Sequence, residues 1–169
     1  MLAMKKSLNR LILITVAAAV VMSGCAEFGK PKEPRPVPAI SLKLTDGREV
    51  NLADFKGKPL VIGIGATWCL HCMHEAPIFG RAYARYKGQI YMLGIIAKSP
   101  PKDAEELVRK SKLDFMIALD PDGSIAKELG VSGYPSSFFI NREGCIIDDN
   151  LGGVEQDELY EKIDDLLKE

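Results

Sequence analysis

The fold of this chain is decided by residues 60–72, which have the sequence LVIGIGATWCLHC. The first five, Leu60–Ile64, form a continuous apolar run that is long enough for a buried strand and too short for a helix. The run is followed by a Cys-x-x-Cys pair, and helical spacing of apolar residues begins directly after the second cysteine. The stretch therefore predicts a central buried strand that leads into a helix, with both cysteines at the junction.

Regular patterns continue on both sides of this junction. Apolar residues alternate from Ile40 to Leu44 before the turn residues Asp46 and Gly47, which predicts an N-terminal β-hairpin. The other predicted elements are a helix over Met73–Tyr86, strands at Ile90–Ala97 and Phe115–Leu119 around a helix at Pro101–Lys112, a short helix at Ser124–Leu129, a hairpin of Ser136–Ile140 with Cys145–Ile147, and a C-terminal helix that includes Leu159 and Leu167. Such alternation predicts an α/β fold in which helices cover both faces of a mixed central sheet.

The N-terminus has the pattern of an export signal. Three basic residues lie in the first ten positions, and the apolar run Leu11–Met22 follows them. That run is short for a membrane span, which needs about 20 apolar residues. Small residues then precede Cys25, as in the lipobox of bacterial lipoproteins. We expect residues 1–24 to be a cleaved signal peptide and Cys25 to be lipidated, which would hold the protein at the membrane. A plain secretory signal or an uncleaved anchor is the alternative.

Composition separates a linker from a single domain. Residues 25–38 are rich in proline and charge, which predicts a semi-extended spacer without a core of its own. Residues 39–169 have the size of one domain. The chain has 22 basic and 23 acidic residues and 7% aromatic residues, so it lacks the basic field and stacking platform that nucleic-acid binding uses. We expect a monomer that does not bind nucleic acid.

The cysteine pair indicates redox chemistry. At the start of a helix, Cys69 meets unpaired backbone N–H groups and the positive end of the helix dipole, which favour its thiolate and make it the attacking nucleophile. Cys72 lies within one turn and can resolve a mixed disulfide. The redox-active pair needs no separate cofactor. The remaining cysteine, Cys145, fits a small apolar residue on a strand, with an intermolecular disulfide as the alternative.

These features resemble the membrane-tethered thiol-disulfide oxidoreductases of the TlpA/ResA group, which have a thioredoxin-like fold. The resemblance covers nearly all of residues 39–169 and implies an N-terminal β-hairpin and a central strand-helix insertion. The stretches that carry it are Ala66–Cys69, Glu75–Pro77, the insertion around Ile90–Leu119, Asp120–Gly123 and Gly130–Pro135.

The resemblance also implies roles for individual residues. Pro135 would be a cis-proline that faces the disulfide, and Tyr134 would offer backbone groups to an extended substrate. Glu75 would be a buried acid that exchanges a proton with Cys72. A trans-proline in a surface loop and a solvated acid in the first helical turn are the alternatives. Trp68 is expected to cover the disulfide.

The implied partners are exported proteins that contain thiols or disulfides, apocytochrome c among them, and an electron donor in the membrane.

The chain departs from the group at three positions. His71 stands where the tethered reductases usually have proline, and a histidine there is typical of DsbA and protein disulfide isomerase, which are oxidants. Gly63 and Gly65 occupy the positions of the buried Asp and a nearby Trp of thioredoxin. The direction of exchange therefore stays open, and the packing beneath the cysteines must differ.

Three further functions are weighed against this one. A metal site formed by the cysteines with His71 and His74 is disfavoured, because such close-set side chains point around a helix axis. A copper-delivery protein on the same fold would need a distant histidine, and the chain has none. A peroxiredoxin would need proline four residues before Thr67, whereas Pro59 lies eight before it. We therefore predict no metal site.

Overall fold

The apolar run at residues 60–64 lies at the centre of a six-stranded sheet in the computed structural model, which describes residues 33–169. The strands are β1 (Arg35–Pro36), β2 (Ser41–Lys43), β3 (Glu49–Asn51), β4 (Leu60–Gly65), β5 (Tyr91–Ala97), β6 (Met116–Asp120), β7 (Ser136–Ile140) and β8 (Cys145–Leu151). The helices are α1 (Leu70–Tyr86), α2 (Pro101–Ser111), α3 (Ser124–Glu128) and α4 (Gln156–Lys168), with a 3-10 turn at Leu52–Asp54.

The main sheet has the order β1-β8-β7-β4-β5-β6. Strands β4, β5 and β6 run parallel, and the pairs β4 with β7, β7 with β8 and β8 with β1 are antiparallel. Strands β2 and β3 form the predicted hairpin as a separate antiparallel pair. The sheet is therefore mixed, with the predicted central strand β4 between a parallel and an antiparallel neighbour.

Alternate side chains of β4 point to two different cores, as expected for a strand that is buried on both sides. Leu60, Ile62 and Ile64 pack with residues of the hairpin and of α3. Val61 packs on the opposite face, with side chains of α1 and α4. Helix α2 covers the neighbouring part of the second face through Ala104, which clusters with residues of β5 and β6. Helices thus cover both faces, and the structure confirms the thioredoxin-like fold.

Three boundaries differ from the sequence-based prediction by more than one residue, and the first is the start of α1, which lies at Leu70 and not at Met73. The spacer predicted through Pro38 is corrected at its end, because Arg35–Pro36 pairs with the start of β8 and the N–H of the buried Val37 donates to Gly144 O at 3.0 Å. Proline is tolerated there, since an edge strand leaves some backbone positions without a ladder hydrogen bond. Strand β8 extends to Leu151, beyond the predicted Ile147, because pairing with β7 outweighs the low strand propensity of the polar residues in between.

The predicted signal peptide, the predicted lipidation at Cys25 and the first part of the predicted linker lie outside the described residues. Among residues 33–169, every helix is too short or too polar to span a membrane.

Candidate active site

The two cysteines lie where β4 passes into α1. Cys69 is the N-cap residue of α1 and has extended backbone angles, φ −93° and ψ 109°. Its Sγ accepts a hydrogen bond from the N–H of Cys72 at 3.2 Å, and the two cysteines form a disulfide. A helix begins with N–H groups that have no partner within the helix, and here the first cysteine satisfies one of them. This arrangement stabilises negative charge on Cys69 when the disulfide is reduced.

Aromatic side chains stand beside the disulfide. Tyr134 packs against the cluster that contains both cysteines, and the peptide bond from Tyr134 to Pro135 is cis. The indole of Trp68 is 63% exposed and meets the Tyr134 ring edge to face, with 5.8 Å between centroids. The structure thus brings Trp68 and Tyr134 together beside a disulfide whose cysteines are only 8% and 7% exposed, and the buried Pro135 follows Tyr134 directly.

Glu75 lies one helical turn after Cys72 and is buried. Its Oε1 accepts a hydrogen bond from the N–H of Val154 at 2.9 Å. Burial disfavours the charged carboxylate and raises the pKa of Glu75 to about 7, although the hydrogen bond from Val154 opposes this rise. A carboxyl group with such a pKa can accept or release a proton near neutral pH.

A small apolar cavity of about 70 Å³ lies behind the second cysteine. Both Cys72 and Glu75 line it, together with glycines of β4 and β5 and apolar side chains of α1 and α2. Gly65 also lines this space, and a Cβ at that position would crowd the second cysteine, at 3.2 Å from the Sγ of Cys72 and 3.0 Å from its Cβ. Cys72 and Glu75 therefore share one apolar space.

The remaining candidate residues lie apart from this cluster or on its surface. His71 and His74 are exposed on the first turns of α1. In residues 33–169, no group of three His, Cys, Asp or Glu side chains has a geometry that could hold a metal ion. Cys145 is a free thiol, half-buried at the first position of β8.

Three contributors to the site were not identified from the sequence. Val154 acts through its backbone N–H, which no side-chain pattern reveals. Gly65 was noted only as a departure from thioredoxin, and its contact with Cys72 is a matter of distance. Ser99 accepts a hydrogen bond from the N–H of Thr67. The sequence did contain a signal for Ser99, because a polar residue just after one parallel strand lies near the carboxyl end of the neighbouring strand.

The chain is similar to known proteins over nearly all of the described residues. A family model described as Redoxin matches residues 32–167. The chain is 29% identical to the thiol-disulfide oxidoreductase ResA of Bacillus cereus, over 94% of this chain and 96% of that protein. It is 31% identical to the thiol:disulfide interchange protein DsbE of Pseudomonas fluorescens, over 80% of this chain and 78% of that protein.

Solved structures with this fold include the same kind of protein. A crystal structure from Chlorobium tepidum, assigned as a thiol:disulfide interchange protein DsbE, superimposes with a TM-score of 0.74 at 26% identity. The match covers 82% of this chain and 99% of that one. Sequence and architecture therefore point to the same group of proteins.

We predict that Gly65→Ala destabilises the disulfide form by about 1–3 kcal/mol, because the added methyl group would overpack against Cys72. Denaturant unfolding of the oxidised protein measures this. Gly80→Ala is the matched control, since its Cβ would have only an ordinary contact, 3.8 Å from Leu113, and alanine favours a helix by roughly 0.5–1 kcal/mol. Equal stability of Gly65→Ala and the wild type would contradict the contact.

We predict that the free energy of unfolding decreases as the pH rises from 4.5 to about 7 because of Glu75. In this range the unfolded chain ionises Glu75, whereas the folded protein keeps the carboxyl group protonated. The decrease should amount to at most about 3 kcal/mol, since each pKa unit corresponds to about 1.4 kcal/mol. The isosteric variant Glu75→Gln should lack this component in urea titrations at several pH values, and an identical pH dependence of the two proteins would refute it.

Proposed function

The chain belongs to the Redoxin family and is a thioredoxin-like thiol-disulfide oxidoreductase of the ResA/TlpA group, and on that premise we propose that it reduces disulfides of exported proteins. One observation carries the proposal. The disulfide of Cys69 and Cys72 caps a helix N-terminus, where the N–H of Cys72 donates to the Sγ of Cys69. The first cysteine is thereby prepared to act as a thiolate, and the second lies within reach of it.

The reaction begins from the reduced protein. The Cys69 thiolate attacks one sulfur of the substrate disulfide, a bond forms between Cys69 and the substrate, and the other substrate sulfur leaves as a thiolate that takes up a proton. Cys72 then loses its proton and attacks the Sγ of Cys69. The intramolecular disulfide forms, and the second substrate thiolate leaves and is protonated. Two electrons have passed from the protein dithiol to the substrate.

Glu75 is the base that we assign to the second step. Cys72 must be deprotonated before it attacks, and Glu75 lines the same apolar cavity. A pKa of about 7 matches the task, because general bases work best when their pKa lies near the ambient pH. The N–H of Val154 holds one oxygen of this carboxyl group in place. The cis-Pro135 loop and Tyr134 would meanwhile receive an extended segment of the substrate.

The predicted export signal and the relatives together support an extracytoplasmic place for this chemistry. The relatives with the names ResA and DsbE are a thiol-disulfide oxidoreductase and a thiol:disulfide interchange protein. We assign this chain to the same extracytoplasmic chemistry, with lipid on Cys25 as its membrane anchor. Apocytochrome c is the substrate that the TlpA/ResA resemblance favours, and an electron donor in the membrane would regenerate the dithiol.

An oxidant similar to DsbA is the competing function, and His71 decides between the two. Such a histidine makes a disulfide more oxidising by stabilising the reduced form. In the part of the chain that the structure describes, the side chain of His71 is exposed and makes no hydrogen bond or ion pair. It does not contribute a fixed contact to Cys69, which supports reduction as the direction of exchange.

We predict that Cys72→Ser accumulates mixed disulfides with substrate proteins, because the Cys69 thiolate can still attack but cannot be displaced. Cys69→Ser should be inactive and should trap nothing. Non-reducing gel electrophoresis after incubation with a protein disulfide measures both results. Cys145→Ser is the matched control, since this thiol lies on β8 outside the site, and it should retain wild-type turnover. Full turnover by Cys72→Ser would eliminate the resolving role.

A further inference from the structure

The turn that presents Cys69 is held from a neighbouring loop. The turn spans residues 66–69 and is closed by a hydrogen bond from the N–H of Cys69 to Ala66 O at 3.1 Å. Both of its central residues donate outward. The N–H of Thr67 donates to Ser99 Oγ at 2.9 Å, and the indole N–H of Trp68 donates to Lys98 O, also at 2.9 Å. Two consecutive residues of one loop therefore hold two consecutive residues of the other.

The Ser99 hydroxyl has a fixed orientation. Ser99 is 4% exposed, and its O–H donates to Ala97 O at 2.9 Å, at the end of β5. Because a hydroxyl group has one proton, this bond leaves its lone pairs for the N–H of Thr67. Strands β4 and β5 are parallel, so their carboxyl ends lie side by side. The hydroxyl thus joins the end of β5 to the turn that follows β4.

The carbonyl group of Lys98 is held by an unusual backbone conformation. Lys98 has a φ of +47°, in the left-handed region that residues with a Cβ rarely adopt. Its N–H donates to Asp120 O at 2.9 Å, and the buried Asp120 carboxylate accepts from the backbone of Ile125 and Ala126 at the start of α3. Such backbone strain persists only where the surrounding structure enforces it, and it occurs often at functional sites.

Trp68 depends on this loop more than a core residue would. Its indole is mostly exposed, so packing alone cannot fix it. Its hydrogen bond to Lys98 and its edge-to-face contact with Tyr134 hold it on two sides. Trp68 therefore has a defined place between the loop after β5 and the residue before Pro135.

We propose that Ser99 is a positioning residue for disulfide exchange, and that it acts with the carbonyl of Lys98 as a clamp on the turn before Cys69. This inference rests on the proposed function. With the clamp in place, the Sγ of Cys69 stays against the N–H of Cys72 and Trp68 stays beside the disulfide. Without the Ser99 hydroxyl, the N–H of Thr67 loses its partner, the turn shifts, and the Cys69 thiolate loses part of its stabilisation.

The test compares three serine variants of the reduced protein. Ser99→Ala removes the clamp, and Ser99→Thr keeps the hydroxyl. Ser137→Ala is the matched control, because this buried serine has a hydroxyl without a hydrogen-bond partner among the described residues. The readouts are the pH dependence of Cys69 alkylation by iodoacetamide, the emission of Trp68, which is the only tryptophan of the chain, and the rate of reduction of a protein disulfide.

We expect Ser99→Ala to shift the alkylation profile to higher pH, to change the Trp68 emission and to lower the exchange rate at pH 7 by roughly fivefold to tenfold. Ser99→Thr and Ser137→Ala should behave as the wild type does. An unchanged alkylation profile and emission in Ser99→Ala would overturn the proposal. Equal losses in Ser99→Ala and Ser137→Ala would also overturn it, because they would show a general effect on stability.

Two further results keep the test decisive. If Ser99→Ala does not fold, Trp68→Phe removes the indole hydrogen bond to Lys98 O while keeping an aromatic ring at this position, and its alkylation profile should still shift to higher pH. No shift would overturn the clamp. If the wild type does not reduce protein disulfides, the proposed function fails, whereas the alkylation profiles still decide whether the clamp positions Cys69.

Discussion

The site depends on one hydrogen bond, from the N–H of Cys72 to the Sγ of Cys69 across the first turn of α1. It exists because a cysteine occupies the N-cap, a position at which side-chain acceptors normally satisfy the free N–H groups of a helix. A thiolate there also benefits from the positive end of the helix dipole. The first turn, Leu70–Met73, contains no acidic residue that would oppose this charge. The geometry at the end of β4 thus supports the proposal that Cys69 is the nucleophile and that Cys72, which lines the apolar cavity, is the resolving cysteine.

The space behind Cys72 is where we propose that Glu75 exchanges a proton with the cysteine. By the resemblance to thioredoxin, Gly63 stands where that protein has a buried Asp. A Cβ at Gly63 would lie 2.8 Å from the ring of Phe79. The strand therefore cannot supply the acid. Glu75 provides a buried carboxyl group from α1, on the same face of the helix as Cys72 and one turn away. The missing side chain at Gly65 leaves room for the Cys72 sulfur. With glycines on β4, the buried acid near Cys72 comes from α1 and not from the strand.

Much of the fold could be predicted because it is encoded locally. The continuous apolar run at residues 60–64 and the alternation before Asp46 and Gly47 each predict one element from neighbouring residues alone. The pairing of Arg35–Pro36 with β8 could not be predicted in this way, because it depends on a free sheet edge far away in sequence. The extension of β8 has the same origin, since β7 provides its partners.

The candidate site, like the fold, could be predicted only in part from the sequence. The motif and its context indicate Cys69, Cys72 and Glu75 as candidates. The groups that hold the site in place were not predicted. One is a backbone N–H far away in sequence, that of Val154, and another is a single buried hydroxyl, that of Ser99. Such contacts have no periodicity, and only the assembled structure brings their partners within hydrogen-bond distance.

We infer that the protein is a reductant, because the exposed side chain of His71 makes no contact with Cys69 and so adds nothing to the stabilisation of the reduced form by the N–H of Cys72. The reduction potential of the Cys69–Cys72 couple, measured at equilibrium with a defined dithiol buffer at pH 7, tests this claim most directly. We predict a value near or below about −230 mV, in the range of thioredoxin and the glutaredoxins. A value between about −180 and −120 mV, the range of protein disulfide isomerase and DsbA, would contradict it and would make the protein an oxidant or isomerase.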